Sequence, residues 1–480
     1  MNAPVAVARP VGTAHVPTWL LMFAGAVVAV FVATCVGDPN PGALAVFAAV
    51  TGVTAAFAAM TAPYAGYLAL VGSTVFLLAV ALPGGKSVNP FDLLLPSVLV
   101  GTMAGSARRT VRAERERSET GPAHEAIRTR HRELVRSAVV YLSVAALSLG
   151  VTLAMGLPAG ALESGMSLFR GVEGLLIFPL VIVWVRDLRS LRHTVYSMLA
   201  ALSACAVVNA LAIGSGGTVK RASMVWFVNE RPWSMGSPNE LGTSVLMAWV
   251  LIIALHRLRP RKLDWLVLLG LSVLLFATQS RGSLIAWLIF VVFSLGRIGW
   301  RVVVGALAAL SFVLLALPGQ LAERLLHSAF FEKGSFEVFS AMIRVFGWQA
   351  AVAVFRDHPL FGVGYMGFRH IGDRYNPLGL VMAGTENMFL EVATGMGVVG
   401  LVVFGVVIVR LYRLGSSVRR VTPSGTLGHQ LAALHGPFIT GLLSVAMTGT
   451  LWVGMLGLAQ LALWCALLIR AGHVALTDGR

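Results

Sequence analysis

The sequence predicts an all-α protein that crosses a membrane about 12 to 14 times and carries one long extracytoplasmic loop. Of its 480 residues, 57% are hydrophobic and 12% are charged, and the mean hydropathy is +0.81. Soluble domains carry about 25% charged residues. Apolar runs near the ~20 residues that a membrane-spanning helix needs follow each other along the whole chain. We therefore expect residues 1–480 to form a single integral membrane domain.

Gly, Pro and short basic segments separate the apolar runs. We predict spans at roughly 17–36, 41–61, 64–82, 91–106, 137–157, 170–185, 194–213, 237–256, 264–279, 283–296, 302–318, 386–411, 434–450 and 453–470. The first run is read as a retained span rather than a signal peptide, because a second apolar run follows it at once.

Arginines cluster in short segments between predicted spans. An even number of predicted spans lies between any two of these segments, so all of them lie on the same face of the membrane. They are 107–136, 186–192, 257–262, 297–301 and 410–420. The positive-inside rule makes this face cytoplasmic, together with both termini. We thus expect a multi-pass protein of the cell inner (plasma) membrane, with outer loops at 158–169, 214–236, 280–282 and 319–385. The net charge of +16 follows from these basic segments, and no nucleic-acid recognition motif accompanies it.

Cys35, Cys205 and Cys465 lie far apart in apolar runs, so they form neither a metal-ligand spacing nor a disulfide framework. We expect them to be packing residues. The sequence gives no reason to expect a metal or another cofactor.

Two short outer segments carry arginine. Arg231 precedes Pro238-Asn239, which open a span, and a guanidinium beside a helix N-terminus makes an anion site. The same residues also fit an ordinary helix start. Arg281, within Ser280-Arg281-Gly282, would be costly at membrane depth, so it either extends to the interface or binds an anion.

The segment 319–385 is the longest polar stretch in the chain. Apolar residues at helical spacing from Phe339 to Phe355 predict an amphipathic helix on the membrane surface, with Arg344 and Trp348 one turn apart. His358-Pro359 ends this helix. The glycine turn 362–364 that follows would let the backbone approach a ligand closely.

Two carboxylates stand where the next span begins. Glu386 precedes Asn387 at its start, and Glu391 lies further inside. Intramembrane carboxylates suggest function. Alternatively, Glu386 complements the helix dipole, and Glu391 is an ion-paired or cavity-facing group.

In this order, the motifs resemble the O-antigen ligase and polysaccharide polymerase superfamily over about residues 225–405. The motifs that carry the resemblance are Arg231 with Pro238-Asn239, Ser280-Arg281-Gly282, Arg344 with Trp348, His358 to Gly364, and Glu386-Asn387 leading to Gly397 and Gly400. The first 200 residues resemble the family only in being hydrophobic spans.

The resemblance implies a metal-independent glycosyltransferase of the GT-C type, active in cell-envelope polysaccharide biosynthesis. Its donor would be an oligosaccharide on undecaprenyl pyrophosphate, and its acceptor a glycan or lipid-glycan hydroxyl at the outer membrane face. Arg231, Arg281 and Arg344 would bind the pyrophosphate, because guanidinium groups grip phosphate oxygens in pairs.

Glu386 would then be the general base. The secondary substrate-binding residues would be Asn239, Trp348, His358 and Asn387. Many family members carry His where this chain has Glu386, which leaves the acceptor open. The competing hypotheses are a multispanning transporter or lipid-linked sugar flippase, and a non-catalytic membrane scaffold.

Overall fold

A computed structural model describes most of the central and C-terminal chain. The described residues are 59–60, 62–74, 80–81, 87–88, 90–106, 121–214, 226–228, 231–233, 238–278, 280–298, 336–376, 384–450 and 455–478. The predicted spans at 17–36 and 302–318, and most of that at 41–61, lie outside these residues.

The described chain is almost entirely helical. The helices are α1 (Pro63–Ser73), α2 (Pro90–Ser106), α3 (Pro122–Ala154), α4 (Pro158–Leu175), α5 (Ile177–Trp184), α6 (Leu188–Gly214), α7 (Pro238–Leu258), α8 (Lys262–Ala277), α9 (Arg281–Ile298), α10 (Phe336–Asp357), α11 (Phe368–Tyr375), α12 (Met388–Val421), α13 (Leu427–Ala446) and α14 (Met455–Asp478). Two short antiparallel pairs join β1 (Val80–Ala81) to β2 (Ser87–Val88) and β3 (Trp226–Val228) to β4 (Arg231–Trp233).

Within the described residues, 5 helical stretches are long and apolar enough to cross a membrane. They are Pro122–Ala154, Gly160–Trp184, Asn239–Leu258, Met388–Val421 and Met455–Thr477. The predicted class, an all-α polytopic membrane protein, is confirmed. The predicted total number of spans stays a prediction.

Two predicted loops are wrong. Residues 158–169 belong to α4, and the connection from α3 is only the turn around Gly156, whose φ is +74°. Pro158 occupies the first turn of α4, where its missing N–H costs nothing. The predicted loop at 410–420 is the last part of α12, which continues to Val421. Arginine is a good helix former and is favoured near a helix C-terminus, so a basic run need not end a helix.

Helices α3 and α12 form a long antiparallel pair. Near the start of α3, Arg130 Nε donates to Ser417 Oγ at 3.2 Å. Further along, the Tyr141 and Phe404 rings lie 6.1 Å apart. The last turns of α3 therefore lie beside the first turns of α12.

Side-chain contacts gather the basic segments at one end of the bundle, here called the basic end. The contacts are His124 with His473 at 2.9 Å, Arg257 with Gln430 at 3.2 Å, and Arg470 with the Val185 carbonyl. The start of α3, the α5–α6 turn, the α7–α8 turn, the α12–α13 turn and the end of α14 therefore share one end, which fits the predicted even number of spans between basic segments. The opposite end, called the motif end, contains the starts of α7, α9 and α12.

Candidate functional site

The segment 358–367, which contains the His-Pro-Leu-Phe-Gly-Val-Gly motif, is fastened to a break in α12. At Gly397 the backbone of α12 leaves the helical conformation, with φ 64° and ψ −158°. Val363 N donates to the Thr394 carbonyl at 2.8 Å, and Val398 N donates to the Pro359 carbonyl at 2.8 Å. The segment thereby forms hydrogen bonds with backbone groups that the break in α12 leaves without helical partners. Unsatisfied backbone groups inside a membrane would cost several kcal/mol each.

The glycines of this segment approach protein, which corrects the prediction that they approach a ligand. Gly362 has φ +66°, and a Cβ there would overlap the Thr394 carbonyl. Gly364 has φ +99°, and a Cβ there would overlap the Thr152 side chain of α3. These glycines are explained by close packing of the segment against α12 and α3.

The start of α12 is held by a small hydrogen-bond network. The Asn387 side chain is the N-cap and accepts from Phe389 N at 2.9 Å and from Leu390 N at 3.2 Å. Glu391 accepts through Oε2 from Thr385 N at 3.1 Å and lies 3.0 Å from Thr385 Oγ1. Capping of this kind fixes where the helix begins, so the backbone on either side of residue 386 is held in place.

Glu386 sits in this network in a left-handed conformation, with φ +50°. For a residue with a Cβ, this conformation costs roughly 1–2 kcal/mol. Its half-buried side chain makes no hydrogen bond or ion pair with other described residues. Because Asn387 is the N-cap, Glu386 lies outside the first helical turn, where a carboxylate best complements the dipole. Glu391 occupies that position instead.

The buried carboxylate of Glu391 lies near Glu386 and near two other polar residues, Tyr365 and Arg369. Glu391 is only 4% exposed, and its Oε1 has no hydrogen-bond partner. Burial, and then the neighbouring Glu391 carboxylate, raise the pKa of Tyr365, while Arg369 opposes the shift. Tyr365 therefore stays a protonated phenol at neutral pH. Arg369 has a buried Nε without a partner, and its Nη1 lies 4.0 Å from Glu163 of α4.

The predicted amphipathic helix is present as α10. Its buried face contributes Ala350, Ala351 and Val354 to a small core that also contains Val363 and Phe368. Leu390, in the first turn of α12, packs against the same core. Helix α10, segment 358–367, α11 and the start of α12 therefore form one packed unit. Whether α10 lies on the membrane surface stays a prediction.

Three predicted site residues on this unit have polar side-chain groups with no partner among the described residues. Arg344 is half-buried and makes no hydrogen bond or ion pair within the described chain. Trp348, one turn later, has a buried Nε1 without a partner. His358 follows α10, and its backbone bonds to Val354 and Gly362 leave the half-buried imidazole unbonded to described residues.

A second cluster joins the starts of α7 and α9. Ser280 Oγ lies 2.5 Å from Asn239 Oδ1 and accepts from Ser283 N at 3.2 Å, so it caps α9. A Cβ on Gly282 would lie 2.7 Å from Thr448 Oγ1, so Gly282 permits close packing against the end of α13. Ser280 and Gly282 thus have structural roles. Arg281 has an exposed side chain at the first position of α9.

The structure brings five of the eight predicted site residues into the α10–α12 unit: Arg344, Trp348, His358, Glu386 and Asn387. Asn239 and Arg281 belong to the second cluster at the same end of the bundle. The backbone of Arg231 pairs with Val228 in the β3–β4 ladder, and its side chain lies outside the described residues. That Arg231, Arg281, Arg344 and Glu386 share one extracytoplasmic pocket stays a prediction.

The described residues contain no group of three or more His, Cys, Asp or Glu side chains that could hold a metal ion. Within the described chain, the side chains of Arg344, Trp348, His358 and Glu386 at the motif end make no hydrogen bond or ion pair. Guanidinium groups are suited to anions, and the other three groups can hydrogen-bond to hydroxyls.

Residues 266–405 match the protein family described as O-antigen ligase. The chain is therefore a polytopic membrane protein that contains an O-antigen ligase-like region at residues 266–405. The predicted resemblance to the O-antigen ligase and polysaccharide polymerase superfamily is confirmed over the matched residues, which include Arg281, Arg344 and Glu386. Arg231 and Asn239 lie outside them. No curated protein matches the chain.

Several residues in and around this region had no role predicted from the sequence. Thr385 holds Glu391, and Tyr365 and Arg369 lie near the same carboxylate. Glu163 of α4 lies 4.0 Å from both Arg369 Nη1 and His370 Nε2. The available signal was the density of polar residues between positions 365 and 385. Glu163 gave none, because its segment was predicted to be a separate loop.

Proposed function

We propose that this protein is a GT-C-type glycosyltransferase that moves a glycan from undecaprenyl pyrophosphate to an acceptor hydroxyl at the outer face of the inner membrane. The observation that carries the proposal is the carboxylate of Glu386. Hydrogen bonds of Thr385 and Asn387 hold the backbone on both sides, Glu386 has a strained φ of +50°, and its side chain makes no hydrogen bond or ion pair with other described residues. Strain of this kind persists where surrounding structure imposes it, and it clusters at functional sites.

In the proposed step, the acceptor hydroxyl oxygen attacks the anomeric carbon of the first donor sugar. The bond from that carbon to the pyrophosphate oxygen breaks, and the lipid pyrophosphate leaves with the electron pair. The hydroxyl proton passes to Glu386. A well-placed general base contributes about 10²–10⁴-fold in rate.

Arginine side chains would neutralise the leaving pyrophosphate, so the step would need no metal ion. Arg281 suits this role because its guanidinium is exposed at the N-terminus of α9, where the helix dipole also favours an anion. Arg344 is half-buried on α10, in the unit that also contains the start of α12, and it makes no hydrogen bond or ion pair with other described residues. Arg231 would complete the set.

The remaining predicted residues would orient sugars. Trp348 would contribute its half-buried indole ring, and His358 its half-buried imidazole, which makes no bond to other described residues. Asn387 keeps its amide N–H₂, because its capping bonds use only Oδ1. Asn239 uses Oδ1 on Ser280, so its proposed contribution is also limited to its amide nitrogen.

The break in α12 gives no separate support for a transporter. In transporters, broken helices leave backbone groups free to coordinate the cargo. Here segment 358–367 forms hydrogen bonds with the backbone groups at the break. Val363 N donates to the Thr394 carbonyl, and Val398 N donates to the Pro359 carbonyl. The motif end would then face outward, and the basic end would lie in the cytoplasm with both termini.

The test uses the purified full chain in phosphatidylcholine vesicles, an undecaprenyl-pyrophosphate oligosaccharide and a glycan acceptor, with ligated product measured by gel or chromatography. Wild-type protein should form product and release undecaprenyl pyrophosphate. Glu386→Gln and Arg281→Ala should lower product by about 10²-fold or more, since one removes the base and the other a charge-assisted contact.

Matched controls are Glu125→Gln and Arg259→Ala, which change exposed residues at the basic end. Both controls should keep wild-type product levels. Wild-type product from both Glu386→Gln and Arg281→Ala would show that the site is assigned wrongly. Solute uptake by the vesicles without acceptor or product formation would support the transporter instead.

A further inference from the structure

A cavity of about 430 Å³ lies at the basic end, between the last turns of α12 and the first half of α13. Its volume is in the range of small-ligand sites. It lies at the opposite end of the bundle from Glu386. The lining residues are Tyr412, Gly415, Ser416, Arg419, Arg420, His429, Ala432, Ala433, His435, Gly436 and Pro437.

The cavity is positively charged. Arg419 and Arg420 make no hydrogen bond or ion pair with other described residues. No carboxylate is among the described residues that line it. His429 Nδ1 donates to the Thr422 carbonyl at 3.2 Å, which leaves Nε2 available. Two arginines facing a cavity without an acid would attract an anionic group.

His435 shapes the cavity without adding charge. Its Nε2 donates to the Leu411 carbonyl at 2.8 Å, and its Nδ1 accepts from Trp464 Nε1 at 2.8 Å. An imidazole that accepts on one nitrogen and donates on the other is neutral. Gly415 packs against this ring, whereas the position of a Cβ on Gly436 is open space. The wall is therefore fixed, and the space in front of Gly436 is open.

An apolar stripe on α12 leads to this cavity. Val398, Val402, Val406 and Val409 are exposed and recur at helical spacing. The same face of α12 continues to Ser416 and Arg420 at the cavity. A spanning helix exposes such a stripe to acyl chains, and basic pockets between helices on the cytoplasmic side suit anionic headgroups.

We propose that this cavity holds the headgroup of one anionic phospholipid, with Arg419 and Arg420 on its phosphate and an acyl chain along the valine stripe of α12. The charge of the cavity favours an anionic over a zwitterionic headgroup. The stripe distinguishes a lipid from a soluble phosphate. The site is independent of the glycosyl-transfer proposal.

The test is native mass spectrometry of the full-length protein in detergent, titrated with phosphatidylglycerol or phosphatidylcholine. One phosphatidylglycerol should remain bound at concentrations where phosphatidylcholine dissociates. Each cation at a lipid surface contributes about fivefold in affinity. The double variant R419Q/R420Q should therefore bind phosphatidylglycerol about 30-fold more weakly.

The matched charge control is R189Q/R259Q, which removes two exposed arginines elsewhere at the basic end. It should retain phosphatidylglycerol within about twofold of wild type, since the cavity is unchanged.

A second pair of variants tests the shape of the cavity at constant charge. Gly436→Leu should fill the cavity and block binding, whereas Gly270→Leu, on an exposed part of α8 with open space around it, should not.

Three results would overturn the proposal. The first is equal retention of both lipids. The second is displacement of phosphatidylglycerol by soluble glycerol phosphate, which would identify a site for free anions. The third is a dimer that retains no lipid and in which the backbone amides of the valine stripe are protected from hydrogen exchange. This result would show that a second copy of the chain covers this face.

Discussion

Replacing Glu386 with glycine should abolish activity without destabilising the protein. The residue adopts φ +50°, which costs roughly 1–2 kcal/mol for any residue with a Cβ. Glycine removes this cost, but it loses about 0.5–1 kcal/mol more conformational entropy on folding. The expected net change in the free energy of unfolding is a gain of up to about 1.5 kcal/mol.

Removing the Glu386 side chain should break no stabilising bond, because Glu386 makes none with the described residues and Asn387 caps the helix. Glu386→Gly should therefore melt at or slightly above the wild-type temperature, by about 2 °C at most. Product formation should fall by about 10²–10⁴-fold, the usual contribution of a general base.

The assay pairs thermal unfolding of the purified protein in detergent with the product assay in vesicles. Glu386→Ala is the matched control, because it removes the carboxylate and keeps the strain. It should be as inactive as the glycine variant and less stable than it. If Glu386 instead stabilises the helix through its dipole, both variants will melt below wild type. Wild-type activity in either variant would refute its role as the base.

Three further predictions follow from the same geometry. Gly362→Ala should lower the melting temperature and activity together, because φ +66° disfavours alanine by about 1–2 kcal/mol and its Cβ would overlap Thr394; unchanged melting would refute the packing role. Asn387→Ala should cost about 1 kcal/mol through the lost cap, and Asn387→Asp should restore it; equal melting of the two would contradict the capping assignment. Arg281→Lys should keep the wild-type melting temperature and raise the donor KM by about tenfold, because lysine lacks the planar fork; an unchanged KM would remove Arg281 from the pyrophosphate site.

The membrane class, the helices and the basic end of the bundle could be predicted because they follow from local composition. The amphipathic helix α10 and the start of α12 also follow from local spacing. The α4 boundary could not be found this way, because Pro158 and Gly160 suggest a loop when read locally. In the fold, Pro158 starts a helix, and Gly160 provides space for the His370 ring, which is 210 positions away in sequence.

The residues of the candidate site stay a prediction, but the structure shows which of their local surroundings could be predicted from the sequence. Glycines in Gly362-Val363-Gly364 indicate close approach, but sequence cannot say whether the neighbour is a ligand or another helix. The structure shows that the neighbours are α12 and α3. Likewise, the positive φ of Glu386 depends on bonds made by the residues around it, which no single-residue preference reveals.

The most direct test of the account is the sidedness of the two ends of the bundle. In spheroplasts, a membrane-impermeant maleimide would be applied to Glu386→Cys and Arg420→Cys in a chain without its native cysteines, before and after the membranes are opened. We expect residue 386 to react in intact spheroplasts and residue 420 to react only after the membranes are opened. Labelling of 420 but not 386 in intact spheroplasts would place the carboxylate on the cytoplasmic side and contradict an outward-facing transferase.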